Sequence, residues 1–143
     1  MKIKHFLISL SATFCVAFSA MAQTTKDIGL ISLNPYVPET ENLGQNANSM
    51  LISKLQQIAT ANGMSGAGFD NRFIITAHIQ KLKSSQTQTV PQKNAVEINV
   101  GIYVGDGLDG TLYSSYNCEE KGIGSSEDQA IAAAVRKVNP NQE

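Results

Sequence analysis

The chain has no tryptophan, two cysteines and two histidines in 143 residues. The shortage matters more once position is considered. Cys15 and His5 fall at the extreme N-terminus, which leaves Cys118 and His78 as the thiol and imidazole of the rest. A lone thiol cannot form an intramolecular disulfide. A lone imidazole without a neighbouring Cys or His at ligand spacing does not make an ordinary zinc site, so no metal is expected. Charged residues make up 16% of the chain and form no run of one sign. Without a basic patch there is no electrostatic footprint for nucleic acid. Long apolar runs are also missing, with one exception.

That exception is at the start. Met1-Lys2-Ile3-Lys4-His5 is basic, Phe6 to Ala20 is apolar, and Ala20-Met21-Ala22 is a small-residue cleavage pattern before Gln23. Basic start, apolar middle and small residues at the cut are the grammar of a secretory signal peptide, expected over residues 1–22. The apolar run is shorter than the roughly 20 residues of a bilayer span, so no stable membrane span is expected after cleavage. Cys15 sits inside the run behind Phe14, where lipid attachment wants a small residue, so no lipid anchor is expected. Cleavage also removes Lys2 and Lys4, so the exported part is more acidic than the formal −1 of the whole chain. Residues 23–143 are enough for one domain with a real core.

The exported part alternates strand and helix signals. Asp27 to Leu33 reads as a first strand, closed by Asn34-Pro35. Ala47, Met50, Leu51, Leu55 and Ile58 give one apolar stripe on a helix over Leu43 to Ala61, ended by Asn62-Gly63. Gly63 to Asp70 is a glycine-rich loop. Arg72 to Leu82 is a second strand, with Phe73, Ile75, Ala77 and Ile79 on one face. The polar stretch Lys83 to Asn94 reads either as a loop or as a continuation of that strand. Ala95 to Gly105 alternates strictly, with Val96, Ile98, Val100, Ile102 and Val104 on its apolar face. Asp106 to Gly110 is a hairpin turn. Thr111 to Cys118 returns with Leu112, Tyr116 and Cys118 on one face. A last helix spans Glu127 to Val138, with a Ser126/Gln129 capping box and Arg136 and Lys137 in its last turn. The order β-α-β-β-β-α predicts a two-layer α+β domain: a four-stranded, largely antiparallel sheet with two helices packed on one face.

Few residues suggest chemistry. His78, with Asp70 or Glu97, is the one conceivable catalytic group, and no catalytic residue is assigned. Asp106 and Asp109 lack the further oxygen ligands of a calcium loop. Glu119 and Glu120 are neighbours in a strand, so they point to opposite faces and do not form an acid/base pair. They read as a solvated strand end. Gly122, Gly124, Ser125 and Ser126 precede a helix N-terminus, where exposed N–H groups can hold an anion. They lack the lysine of a phosphate-binding loop, and tight turning with capping accounts for them equally. Cys118 in an oxidising compartment is either buried or paired with another chain, and its place in an alternating strand favours burial.

Tyr103-Val104-Gly105-Asp106, then Gly110-Thr111-Leu112-Tyr113-Ser114-Ser115, then Lys121-Gly122-Ile123-Gly124-Ser125 and a helix opening Glu127-Asp128-Gln129-Ala130-Ile131 form a recognisable series. It resembles a group of uncharacterised exported proteins of Bacteroides-type bacteria, over about Asp27 to Pro140. It is more distantly similar to the CsgG-like domain shared by the curli secretion channel protein, the N-terminal domain of TolB and lipoprotein activators of cell-wall synthases. The resemblance implies a chain shortened at Glu143. It also implies work by protein contact in the envelope rather than by catalysis. The expectation is therefore a non-catalytic periplasmic or envelope-associated binding or scaffolding module, without cofactor, whose partners are envelope proteins. It would be periplasmic or loosely associated with the outer membrane. The alternative is an exported protein that binds a small ligand or anion at the glycine turn.

Overall fold

The computed structural model describes residues 31–65 and 72–139. Residues 1–30 (with the expected signal peptide), part of the glycine-rich loop and the last residues lie outside them. Four strands and two helices follow in the order β1 (Asn34–Tyr36), α1 (Gln45–Ala61), β2 (Phe73–Gln86), β3 (Asn94–Asp106), β4 (Leu112–Gly124) and α2 (Glu127–Lys137). The sheet order is β1-β2-β3-β4. β1 is parallel to β2, and the other pairs are antiparallel. This is the expected two-layer α+β domain, with a mixed sheet.

The alternating pattern of β3 explains the layers. Val96, Ile98 and Val100 are buried, and their directly opposed neighbours in β4 are Gly122, Glu120 and Cys118. Directly opposed residues share a face, so this row faces the helices. Leu51 and Leu55 from α1, Ile75 from β2 and Val135 from α2 close over it, all essentially inaccessible. Burying each such side chain favours folding by about 1.5–3 kcal/mol. Lys54 also lies in the buried part of α1, at 8% exposure. A lysine stem covers apolar surface while its ammonium reaches water.

Several expected boundaries move. The first strand is at Asn34–Tyr36, in place of Asp27 to Leu33, of which residues 27–30 lie outside the described part. Asn34-Pro35 belongs to the strand rather than closing it, because an edge strand tolerates proline. Leu33 is a core residue instead. α1 starts two residues later than expected, at Gln45. Lys83 to Asn94 is strand as far as Gln86, with a register shift between Lys81 and Lys83.

β4 differs most. It runs to Gly124, so Glu119 and Glu120 lie inside it and not at a solvated end. The register shift between Val104 and Gly105 leaves Tyr113 unpaired and sets Leu112 opposite Gly105. An extra residue in one strand flips the faces beyond it. Leu112 therefore lies on the helix-free face, apart from Tyr116 and Cys118.

Candidate functional site

The glycines singled out in the sequence lie in a strand, under a helix. A Cβ on Gly122 would collide with the Ala130 carbonyl and the Ala134 amide, and one on Gly124 with the Ala130 amide. Their absent side chains let α2 lie directly on β4 through its alanines. The turn itself is only Ser125–Ser126. Ser126 caps α2, its hydroxyl accepting from the Gln129 amide at 3.2 Å. The Gln129 carboxamide oxygen in turn accepts from the Ser125 amide at 3.2 Å. The capping box is therefore real, with its return bond on Ser125 rather than on Ser126. Two N–H groups that an anion would use are occupied by these bonds. The first turn of α2 also carries Glu127 and Asp128. Glu127 is ion-paired with Lys81, and Asp128 turns toward α1.

Gly124 and Ser125 nonetheless border a groove of about 580 Å³ between α1 and α2. Asn46, Ser49, Gln129, Lys93 and Arg136 also line it. Among the described residues neither Lys93 nor Arg136 has an ion-pair partner. Arg136 reads from the sequence only as a last-turn charge of α2 and Lys93 as part of a polar stretch; they are far apart in the chain, and only the fold brings them to one groove.

His78 is exposed on the helix-free face, and its carboxylate partner is Glu41. Nδ1 lies 2.8 Å from one Glu41 oxygen, while the other accepts the Ile79 amide at 3.0 Å. Glu97 sits elsewhere, opposite Lys83 in the ladder and 3.1 Å from the Lys121 ammonium. Of the two conceivable partners of His78, Glu97 is not paired with it, and Asp70 lies outside the described residues. Glu41 was invisible as a partner because a short 3-10 turn, Glu39–Glu41, delivers it.

Asp106 is a structural hub. Its side chain is fully buried. It accepts from Arg72 Nε and from the Leu108 amide, each at 2.8 Å. The Arg72 hydrogen bond, followed by the Leu108 amide, holds its carboxyl below the usual carboxylate range. Arg72 also stacks over Phe73, with 5.4 Å to the ring centroid. These bonds lock the hairpin between β3 and β4.

Cys118 is half-buried on the helix side of β4, with Sγ 3.9 Å from the Val100 carbonyl. Burial, with Glu120 nearby, pushes its thiol up. β4 is also an edge strand: among the described residues no strand pairs with its outer side. Leu112, Tyr113 and Ile123 on it are each more than half exposed.

No protein-family model matches the chain, and no curated protein matches it. Among solved structures, the chain is similar to a minor lipoprotein from Acinetobacter baumannii. The identity is 10%, with 75% of this chain and 84% of that one covered at a TM-score of 0.48. It is also similar to the PelC dodecamer from Paraburkholderia phytofirmans, at 18% identity, 79% and 88% coverage and a TM-score of 0.41. A lipoprotein from Neisseria meningitidis shows 12% identity, 71% and 90% coverage and a TM-score of 0.38. Likenesses of this size say nothing about what the chain does.

Proposed function

We propose that this chain is an exported, non-catalytic protein-binding or scaffolding module of the bacterial envelope, periplasmic or loosely held at the outer membrane. The observation that carries the reading is the edge of β4, which no strand covers among the described residues. It is 13 residues long, contains no proline and bears exposed apolar side chains. Natural sheets blunt such edges, since unpaired N–H and C=O groups invite another strand. A long edge left open is a surface for strand addition, in which backbone bonds supply affinity and alternate side chains supply specificity. The export grammar of residues 1–22 supports the location. The resemblance to Bacteroides-type exported proteins and to the CsgG-like domain is in keeping with work by contact.

The test is site-specific photo-crosslinking in the native cell. A crosslinker at Ser115, on exposed β4, is expected to capture one or two envelope proteins or the chain itself. The same group at Gln57, on exposed α1, is expected to capture none of them. Recovery of nothing from Ser115 counts against the reading. Mass spectrometry of the exported protein is expected to find Gln23 at its N-terminus.

A second reading rests on the groove between α1 and α2, where Lys93 and Arg136 stand beside Gly124 and Ser125. Here the protein binds a small anionic ligand. The Lys93→Gln/Arg136→Gln variant is expected to abolish any thermal shift caused by inorganic phosphate. A shift that persists in this variant removes the groove from consideration.

A further inference from the structure

We infer that the strand added to β4 is β4 of a second copy, in an antiparallel pair whose two-fold axis passes through Cys118. The inference rests on the proposed contact role and names the partner for its surface.

The two edges of the sheet are treated differently. β1 is only three residues long and contains Pro35. Beyond its end, the Glu41 carboxylate occupies the Ile79 amide of β2. Short strands, proline and inward charge are the usual protections against edge pairing. β4 has neither the brevity nor the proline; its protections are one inward charge, Glu120 on the helix side, and the bulge at Tyr113. Among the described residues one side chain meets its backbone, the Lys137 ammonium, which donates to the Lys121 carbonyl at 2.6 Å. That is a long, exposed side chain.

Cys118 is the midpoint of β4, and the strand is self-complementary about it. In antiparallel pairing on a two-fold axis, Glu119 faces Asn117 of the second copy, Glu120 faces Tyr116 and Lys121 faces Ser115. No charge faces its own sign. Registers centred on Glu119, Glu120 or Lys121 place that charged residue against itself, and directly opposed like charges destabilise a ladder. The ends agree as well. Counting outward from Cys118, with the bulge at Tyr113 absorbing one residue, Leu112 and Ile123 lie at equal ladder distance. Both lie on the helix-free face, at 59% and 58% exposure. The pair brings Leu112 against Ile123 of the second copy, twice, and covers both. α2 presses on the Gly122–Gly124 half of β4. The two-fold therefore sets the two helices over opposite halves of the pair.

Size argues for a modest interface with a covalent lock. A 13-residue strand is roughly 44 Å long. With a layer about 10 Å deep, its edge covers about 440 Å² per copy, against about 800 Å² in a standard complex. Directly opposed residues of an antiparallel pair have Cα atoms about 4.5–5.5 Å apart, inside the roughly 4.4–6.8 Å range of disulfides. The two Cys118 thiols can therefore join. They lose two protons and two electrons to a small-molecule disulfide such as oxidised glutathione. Its S–S bond breaks to give two thiols as the Sγ–Sγ bond forms.

The experiment uses the purified protein and a register-reporting variant, Cys118→Ser/Leu112→Cys/Ile123→Cys. Both changed edge positions are exposed, and circular dichroism checks that the variant is folded. With oxidised glutathione, the original chain is expected to double its apparent mass on a non-reducing gel and to return to monomer with reductant. In the variant, mass spectrometry is expected to find position 112 linked to position 123 of another copy. A chain that stays monomeric at every concentration and forms neither link overturns the inference. So does a Cys118 link without the 112–123 link, which marks a merely reactive thiol. Capture of another envelope protein from Ser115 with no self-link overturns the second copy as partner while leaving the contact role intact.

Discussion

The Asp128 carboxylate caps a helix other than its own, and Gly44 makes the room for it. Asp128 stands in the first turn of α2, yet Oδ1 accepts from the Ala47 amide at 2.9 Å, and Oδ2 accepts from the Asn46 amide at 3.2 Å and side chain at 2.7 Å. Gly44 is the N-cap of α1 and offers no side-chain cap. A Cβ there would collide with the Asp128 carboxylate. Helix starts leave orphan N–H groups that need acceptors, and α1 obtains its acceptor from across the domain.

This pairing predicts coupled substitutions. Asp128→Ala is expected to cost about 1 kcal/mol, the usual loss of an N-cap. Gly44→Ala is expected to destabilise the normal chain by collision, and by at least about 0.5 kcal/mol less once Asp128 is alanine. Urea midpoints of the two single variants and the double variant measure the coupling. Simple additivity would show that the carboxylate and the glycine act independently.

The same carboxylate sets an acid response. The Ala47 amide, followed by the Asn46 side chain, lowers the Asp128 pKa, and Arg72 followed by the Leu108 amide lowers that of Asp106. A carboxyl with a depressed folded value contributes its stability above the ordinary pKa of about 4. It loses that contribution as pH falls through the folded value. The chain is therefore expected to lose stability below about pH 5, and Asp128→Asn to start lower at neutral pH and fall less. Equal acid losses in urea titrations of the two proteins would refute the assignment to Asp128.

Much of this was legible in the sequence. Period-two alternation in β3 and three- and four-residue spacing in the helices give faces directly, so the layers and the Ser126 cap were readable. Asp128 as a cap for α1 was not, because its partners Asn46 and Ala47 are more than 80 residues away and no local pattern joins them. The bulge at Tyr113 left no mark either, so Leu112 was put on the wrong face. The glycines of β4 read as a turn because glycine signals both conformational freedom and close approach, and only packing separates the two.

Two glycines show that separation. Gly122 needs its missing side chain for contact, since a Cβ would strike the α2 backbone. Gly63 needs its conformation, with φ at +75° and nothing within 4 Å of a Cβ. Gly122→Ala is expected to push α2 away and to cost about 1–3 kcal/mol by overpacking. Gly63→Ala meets no neighbour and is expected to cost only about 1 kcal/mol through backbone strain. Amide exchange distinguishes the mechanisms. The first change should expose α2 and β4, and the second only the end of α1. A Gly122→Ala variant with normal protection along α2 would contradict the packing account.

The edge of β2 gives the last prediction. Where β1 ends, the Glu41 carboxylate continues its role, taking the Ile79 amide with one oxygen and meeting His78 Nδ1 with the other. Without the carboxylate the Ile79 amide loses this acceptor, and an open amide on a sheet edge is an invitation to pair. Glu41→Ala is expected to increase exchange of the Ile79 amide by about tenfold, as expected for a lost hydrogen bond of about 1–1.5 kcal/mol, and to make the chain prone to associate through this edge. Glu41→Gln keeps an oxygen within reach and is expected to retain most of the protection. His78→Ala leaves the amide bond in place, so it should change Ile79 exchange little. If His78→Ala and Glu41→Ala raise exchange equally, the carboxylate serves the imidazole rather than the edge.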